Sequence, residues 1–229
     1  MPKNQVILYT DGACEGNPGP GGVGVVLFDK GSRREISQGY RLTTNNRMEI
    51  LAVITGLEDL EGPSEVRVFS DSKYVVDAIN QGWVQNWNAS DWVRKGGKRV
   101  PNSDLWKRLL PQIERHAVSF TWVKGHAGDT HNERADRLSY AAIESSELLE
   151  DEGYLAQLEL EELSPSKITE VGQPCRKCGT PVVKKIPKRK PKPDQAYYYE
   201  YYLQCPECET IYMVESAKRS IEQKSLFED

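Results

Sequence analysis

The sequence predicts an α/β fold, a mixed sheet covered by helices, followed by a small separate β module. Three observations carry this. The 229 residues exceed one average domain and fall short of two, so one large and one small unit are expected. Over the first 143 residues, short β-prone apolar runs alternate with stretches of helical apolar spacing. Beyond residue 170, two Cys-x2-Cys pairs frame a basic, proline-rich stretch and a tyrosine cluster, a composition poor in core formers.

The elements follow in order. Val6-Ile7-Leu8-Tyr9-Thr10 is a β-prone run. The glycine-rich segment 16–22 reads as a turn, residues 23–28 as a second strand, and residues 36–43 as a third, reached through Asp29-Lys30-Gly31. Such short connections favour an antiparallel meander. Residues 46–60 place apolar side chains at 50, 51, 53, 54, 57 and 60, a helical spacing that Thr44 or Asn45 can cap. A fourth strand at 66–70, helices at 74–81 and 103–114, a fifth strand at 118–123 and a last helix at 132–149 complete the alternation. Strand–helix order after a meander implies a mixed sheet with helices packed on it.

Composition sets the outer limits. Hydrophobic residues are 38% and charged residues 28% of the chain, enough for a sizeable core, which excludes disorder of the whole chain. No window of about 18 residues is continuously apolar, so no membrane partner is expected. The first nine residues show no signal-peptide pattern, and a cytoplasmic location is the expectation. The net charge of −4 divides unevenly: +1 over residues 1–143, −8 over 144–170 and +3 over 171–229. An acidic middle masks two mildly basic ends, so the overall balance says little about partners. The expected organisation is a large domain at 1–145, an acidic linker at 146–170, a small β module at 171–217 and a tail at 218–229. Leucines at 148, 149, 155, 158, 160 and 163 leave an amphipathic, docking helix open for the acidic stretch.

Four carboxylates stand out by position. Asp11 and Asp71 end the first and fourth strands, Glu49 lies in the first turn of a helix, and Asp136 lies on the last helix. If those strands are parallel neighbours, Asp11 and Asp71 emerge side by side at the carboxyl edge, where open α/β sheets place their sites. Clustered carboxylates repel, and a divalent cation removes the conflict. Oxygen ligands suit Mg²⁺ or Mn²⁺, and two such ions about 4 Å apart can clamp a phosphodiester. Taken singly, each Asp also fits a turn residue or a helix cap.

Larger motifs decide between these readings. Thr10-Asp11-Gly12-Ala13-Cys14, Gly16-Asn17-Pro18-Gly19-Pro20-Gly21-Gly22, Asn45-Asn46-Arg47-Met48-Glu49 and Ser70-Asp71-Ser72-Lys73-Tyr74-Val75 are followed by two more. These are Trp122-Val123-Lys124-Gly125-His126-Ala127-Gly128 and Asn132-Glu133-Arg134-Ala135-Asp136. Together, in order and spacing over about residues 4–143, they resemble bacterial type 1 ribonuclease H. The resemblance implies a ribonuclease H-like, five-stranded mixed sheet with helices on both faces. It implies an endoribonuclease that hydrolyses the RNA strand of RNA–DNA hybrids with two Mg²⁺ ions, leaving 5′-phosphate and 3′-hydroxyl ends. Asp11, Glu49, Asp71 and Asp136 would hold the metal, Asp11 and Asp71 touching both ions. His126 would assist the attacking water or product release.

The same resemblance assigns substrate contacts. Gly12, Asn17, Asn45 and Glu49 would read the RNA 2′-hydroxyls, while Thr44 and Asn45 would grip a DNA-strand phosphate. Asn17 and Asn45 also fit turn or cap roles. Residues 82–100 resemble the family's substrate-handling protrusion, with Trp83 and Trp87 against sugars or serving as anchors, Trp92 supporting and Trp106 behind. This version is less basic, its charge returning at Arg94, Lys95, Lys98 and Arg99. Lys73 stands where a glutamine is often found. A monomer that partners an RNA–DNA hybrid is expected; the alternative is a non-catalytic hybrid-binding or adaptor protein working through its C-terminal module.

Cys175, Cys178, Cys205 and Cys208 form two C-x2-C knuckles with 26 residues between them. Four thiolates suit a structural, tetrahedral Zn²⁺ in a zinc-ribbon-like module, the separation implying a long hairpin; redox pairs or disulfides are the alternative. Lys184, Lys185, Lys188, Arg189, Lys190 and Lys192 precede Tyr197, Tyr198, Tyr199, Tyr201 and Tyr202. Cations beside aromatics suit a nucleic-acid backbone with stacked bases, or a solvated loop beside a tyrosine-filled core. Cys14 is left over, expected as a small buried residue near the acidic cluster.

Overall fold

A computed structural model describes residues 5–94, 99–163, 168–187 and 195–220. Lys95, Lys98, the Ser-Pro-Ser at 164–166, Lys188, Arg189, Lys190, Lys192 and the tail from 221 lie outside them. The chain divides into two compact units, Met1–Gln157 and Leu158–Asp229.

In the first unit, β1 (Gln5–Cys14), β2 (Gly19–Asp29) and β3 (Ser32–Thr43) form the antiparallel meander, with Val25 opposite Thr10 and Ile36. The glycine-rich turn is shorter than read, because β2 begins at Gly19. Then come α1 (Asn45–Glu58), β4 (Glu65–Ser70), α2 (Lys73–Asn80), α3 (Trp83–Ala89), α4 (Ser103–Arg115), β5 (Ala117–Trp122) and α5 (Thr130–Ile143). β4 and β5 run parallel to β1, giving the sheet order β5-β4-β1-β2-β3. Helix α3 was not read from the sequence. Its Trp-Val-Gln-Asn-Trp-Asn-Ala run holds weak helix formers, and tertiary packing of Val84 decides it.

The two sheet faces are covered from opposite sides. Val23, Val25 and Leu27 of β2 join Ile50, Val53, Ile54 and Leu57 of α1 in the main core, which extends to Trp106 and Leu109 of α4. The alternate residue Val26 packs instead with Ala135 and Leu138 of α5. Gly24 makes that second contact possible: a Cβ there would lie 1.9 Å from the Ala135 carbonyl oxygen.

The last helix and the acidic linker need correction. Helix α5 ends at Ile143, not 149, and Leu148–Leu149 form a sixth strand, β6, parallel to β3 at Gly39 and Tyr40. A further helix, α6, follows at Glu152–Leu163. Asp151 and Tyr154 are buried, so the start of the supposed linker belongs to the first unit. The physical reason is Arg47. Its guanidinium, 1% exposed, donates to both Asp151 oxygens (2.7 Å from Nε and 2.7 Å from Nη2) and both Asp104 oxygens (2.9 and 2.6 Å). A buried cation requires such partners.

The second unit has its own core of Ile168, Val182, Leu203, Val214 and Ala217 around Cys175 and Cys205. Strands β7 (Val183–Lys185), β9 (Tyr202–Gln204) and β10 (Ile211–Met213) form an antiparallel sheet in the order β10-β9-β7. β8 (Tyr197–Tyr199) pairs instead with β11 (Lys218–Ser220). The single long hairpin expected between the knuckles is therefore two sheets, and the module extends three residues past its expected end at 217. Among the described residues no helix is long and apolar enough to cross a membrane.

Candidate active site and cysteine cluster

Register places the first two carboxylates. Tyr9 of β1 pairs with Phe69 of parallel β4, so Asp11 and Asp71, each two residues further on, leave the sheet side by side. Glu49 joins them because α1 starts against β1. Gly12 permits this approach: a Cβ would sit 2.2 Å from the Glu49 amide nitrogen. One carboxylate oxygen each of Asp11, Glu49 and Asp71 lies within 4.8 Å of the others. Asp136, on the second turn of α5, stands outside that tight group, half-buried, with its charge acting on Asp11.

The electrostatics are those of a site short of positive charge. Burial first, then the charges of Asp71 and Asp136, push the Asp11 carboxyl up to about 6, against a hydrogen bond from Ser139 and the nearby His126. Burial and the charges of Asp11 and Asp71 also raise Glu49 well above the usual carboxylate range, opposed by the Gly12 amide and the Asn45 side chain. Glu49 Oε2 is buried and has no hydrogen-bond partner. An acceptor in that position fits a cation ligand, and the acidic cluster is a possible metal site.

Two residues that hold the carboxylates were not singled out from the sequence. Ser139 Oγ lies 2.6 Å from Asp11 Oδ2, and Asn132 Nδ2 donates to Asp71 Oδ2 at 3.1 Å. Both side chains are buried on α5, which Asp129 caps by accepting from the His131 and Asn132 amides. The motif containing Asn132 was the available signal; nothing marked Ser139. Trp122 Nε1 donates to the Asp71 carbonyl oxygen, and Lys73 Nζ lies 5.0 Å from the Trp122 ring centroid.

The other expected residues fall as follows. His126 is exposed on the loop before α5, at φ +51°. Asn17 and Asn45 meet directly, the Asn45 amide donating to Asn17 Oδ1 at 3.2 Å. Thr44 is the N-cap of α1 but its side chain makes no cap hydrogen bond. Trp83 is exposed; Trp87 lies between it and the fully buried Trp106, with centroids 6.2 and 5.9 Å away. Trp92 is buried and acts as an anchor. Cys14 is half-buried, its sulfur 3.6 Å from the Gly19 and Thr43 carbonyl oxygens.

In the second unit the four cysteine sulfurs lie within 4.8 Å of one another, with Cys175–Cys208 at 3.5 Å and Cys178–Cys205 at 3.3 Å. Four thiolates on one Zn²⁺ at about 2.3 Å would stand about 3.8 Å apart. The cluster is thus a possible metal site of tetrahedral size. Although burial raises the Cys175 thiol, hydrogen bonds from Tyr212 and the Lys177 and Cys178 amides bring it down to about 6. Tyr212 Oη bridges the Cys175 sulfur, 3.1 Å away, and the Arg176 amide, 2.9 Å away.

Fold and site together define an α/β protein whose candidate active site is a carboxylate cluster at the carboxyl edge of its sheet. The ribonuclease H family model matches residues 3–144. A ribonuclease H from Syntrophus aciditrophicus is 56% identical over 153 residues, 67% of this chain and 88% of that protein. A ribonuclease HI from Synechocystis is 51% identical over 152 residues, 66% of this chain and 95% of that protein. Among solved structures, LC9-RNase H1, a type 1 ribonuclease H with the type 2 active-site motif, is 32% identical with a TM-score of 0.56, over 71% of this chain and 85% of that one. The chain belongs to the ribonuclease H family, and it is an enzyme.

Proposed function

We propose that the protein is an endoribonuclease that cuts the RNA strand of RNA–DNA hybrids, leaving 5′-phosphate and 3′-hydroxyl ends. The observation that carries this is the convergence of Asp11, Glu49 and Asp71 within 4.8 Å, with Glu49 Oε2 buried and unpartnered. Asp11, Glu49 and Asp71, with Asp136 beside them, would hold two Mg²⁺ ions. When bound, the ions neutralise the developing charge and activate water at the scissile phosphodiester. Ser139 and Asn132 hold the Asp11 and Asp71 carboxylates in place. His126, on its exposed loop, moves a proton or assists product departure. Asn17, Thr44, Asn45 and the Gly12 backbone line the side where the sugars of a hybrid would be read, and Trp83 and Trp87 support the duplex.

The cysteine cluster holds a structural Zn²⁺ that organises the small second core. We place the enzyme in the cytoplasm as a monomer. The deciding experiment is cleavage of a labelled hybrid beside an RNA duplex and a DNA duplex, with Mg²⁺ or with EDTA. Cleavage of the hybrid alone, abolished by EDTA, is expected. A hybrid that is bound yet never cut would instead make the protein a binding module.

A further inference from the structure

The outward face of the β10-β9-β7 sheet is not used by any of this. Leu203, at the centre of β9, is fully buried, so its neighbours Tyr202 and Gln204 point the other way. Their cross-strand partners share that face. One row is Met213, Tyr202 and Lys185; the next is Ile211, Gln204 and Val183. Ile211 and Met213 are each 53% exposed, large values for apolar side chains in a module this small.

Charge at the β7 edge suits one occupant. Residues 171–187 contain Arg176, Lys177, Lys184 and Lys185 and no acidic residue, whereas Glu200, Glu207, Glu209 and Glu215 lie around β9 and β10. Lys185 stands at the β7 edge of the exposed face, and Lys184, leaving the opposite face, lies 4.0 Å from the Tyr201 ring centroid. An aromatic, a thioether and an aliphatic side chain beside a cationic edge match unstacked bases on a phosphate backbone. Stacked bases of a duplex could not reach this face, whereas a single strand can lay its bases across it. We propose that the outward face of this sheet binds single-stranded nucleic acid flanking the hybrid that the first unit cuts. The hybrid's part in this rests on the proposed function; the binding of single strands does not.

The test uses the full chain and a Lys185→Glu/Ile211→Ser/Met213→Ser variant, with Lys185→Glu alone as a second variant should the triple lose metal. Fluorescence anisotropy with an oligothymidine of about 15 nucleotides, without chelator, should give a Kd that rises at least about tenfold in the triple variant and less in the single one. A single-stranded DNA tail on a short hybrid should lower KM several-fold for the unaltered protein and not for the variant. Cleavage of the blunt hybrid should be equal in both. Failure of the unaltered protein to bind oligothymidine, or equal binding by metal-retaining variants, overturns the proposal. So does capture of a protein on this face without single-strand binding. If no hybrid is cut, the active-site reading fails while the anisotropy result still judges this one.

Discussion

Ser139 Oγ lies 2.6 Å from Asp11 Oδ2, inside the contact between α5 and the sheet, where the serine is fully buried. The hydroxyl fixes the rotamer of a carboxylate that burial and two acidic neighbours otherwise disfavour. Ser139→Ala should raise the Mg²⁺ concentration for half-maximal activity several-fold and lower kcat about 10- to 150-fold, the worth of one hydrogen bond to a charged group. A metal titration of activity checks it, and restoration by Ser139→Thr would separate positioning from packing.

The raised Asp11 carboxyl predicts a pH dependence of stability in metal-free protein. Its folded pKa of about 6 lies above the unfolded value of 3.8, so the folded state holds the proton more tightly. The resulting stability is complete below the unfolded value and is lost as pH rises through about 6, up to about 3 kcal/mol. Glu49 adds to the trend in the same direction. Asp11→Asn should therefore raise the Tm of metal-free protein at neutral pH and change it little near pH 4. Mg²⁺ should stabilise the unaltered protein at neutral pH more than the variant.

Arg47 predicts where the first unit ends. Asp151→Ala removes two of the four carboxylate oxygens around a buried guanidinium and frees the Thr43 hydroxyl, which donates to Asp151 Oδ2 at 2.7 Å. The cost should be about 3 kcal/mol, since Asp104 remains as a partner. Urea denaturation of the variant measures this. A chain ending at 145 should show a comparable loss relative to one ending at 157.

The cysteine cluster predicts an all-or-none response of the second unit. Cys205→Ser should abolish stoichiometric zinc and with it the near-ultraviolet circular dichroism of the tyrosine-rich module. The thermal transition of the first unit should stay within a few degrees, because its core shares no residue with the second. Zinc retained by the variant would remove Cys205 from the ligand set.

The carboxylates were legible because each occupies a position with a local signature. Asp11 and Asp71 close β-prone runs, Glu49 lies in a helix that follows a meander, and all three sit in motifs dense enough to identify a family. Ser139 and Asp151 had no such mark, and Asn132 stood inside a motif that did not reveal its partner. Ser139 works across 128 residues to Asp11, Asn132 across 61 to Asp71, and Asp151 across 104 to Arg47. The acidic stretch misled for the same reason. Its charge density reads as a solvated tether, and one buried arginine far upstream turns part of it into structure.

Alternating strand and helix periods, the order of the motifs and the spacing of the cysteines determined the α/β class, the convergence of Asp11, Glu49 and Asp71, and the cysteine cluster. These are properties of neighbouring residues and survive in one dimension. Only the tertiary structure decided which side chains steady the carboxylates, where the first unit stops and how the tyrosine-rich strands divide between two sheets. Those outcomes depend on which distant surfaces bury each other, and on the need of every buried charge for a partner.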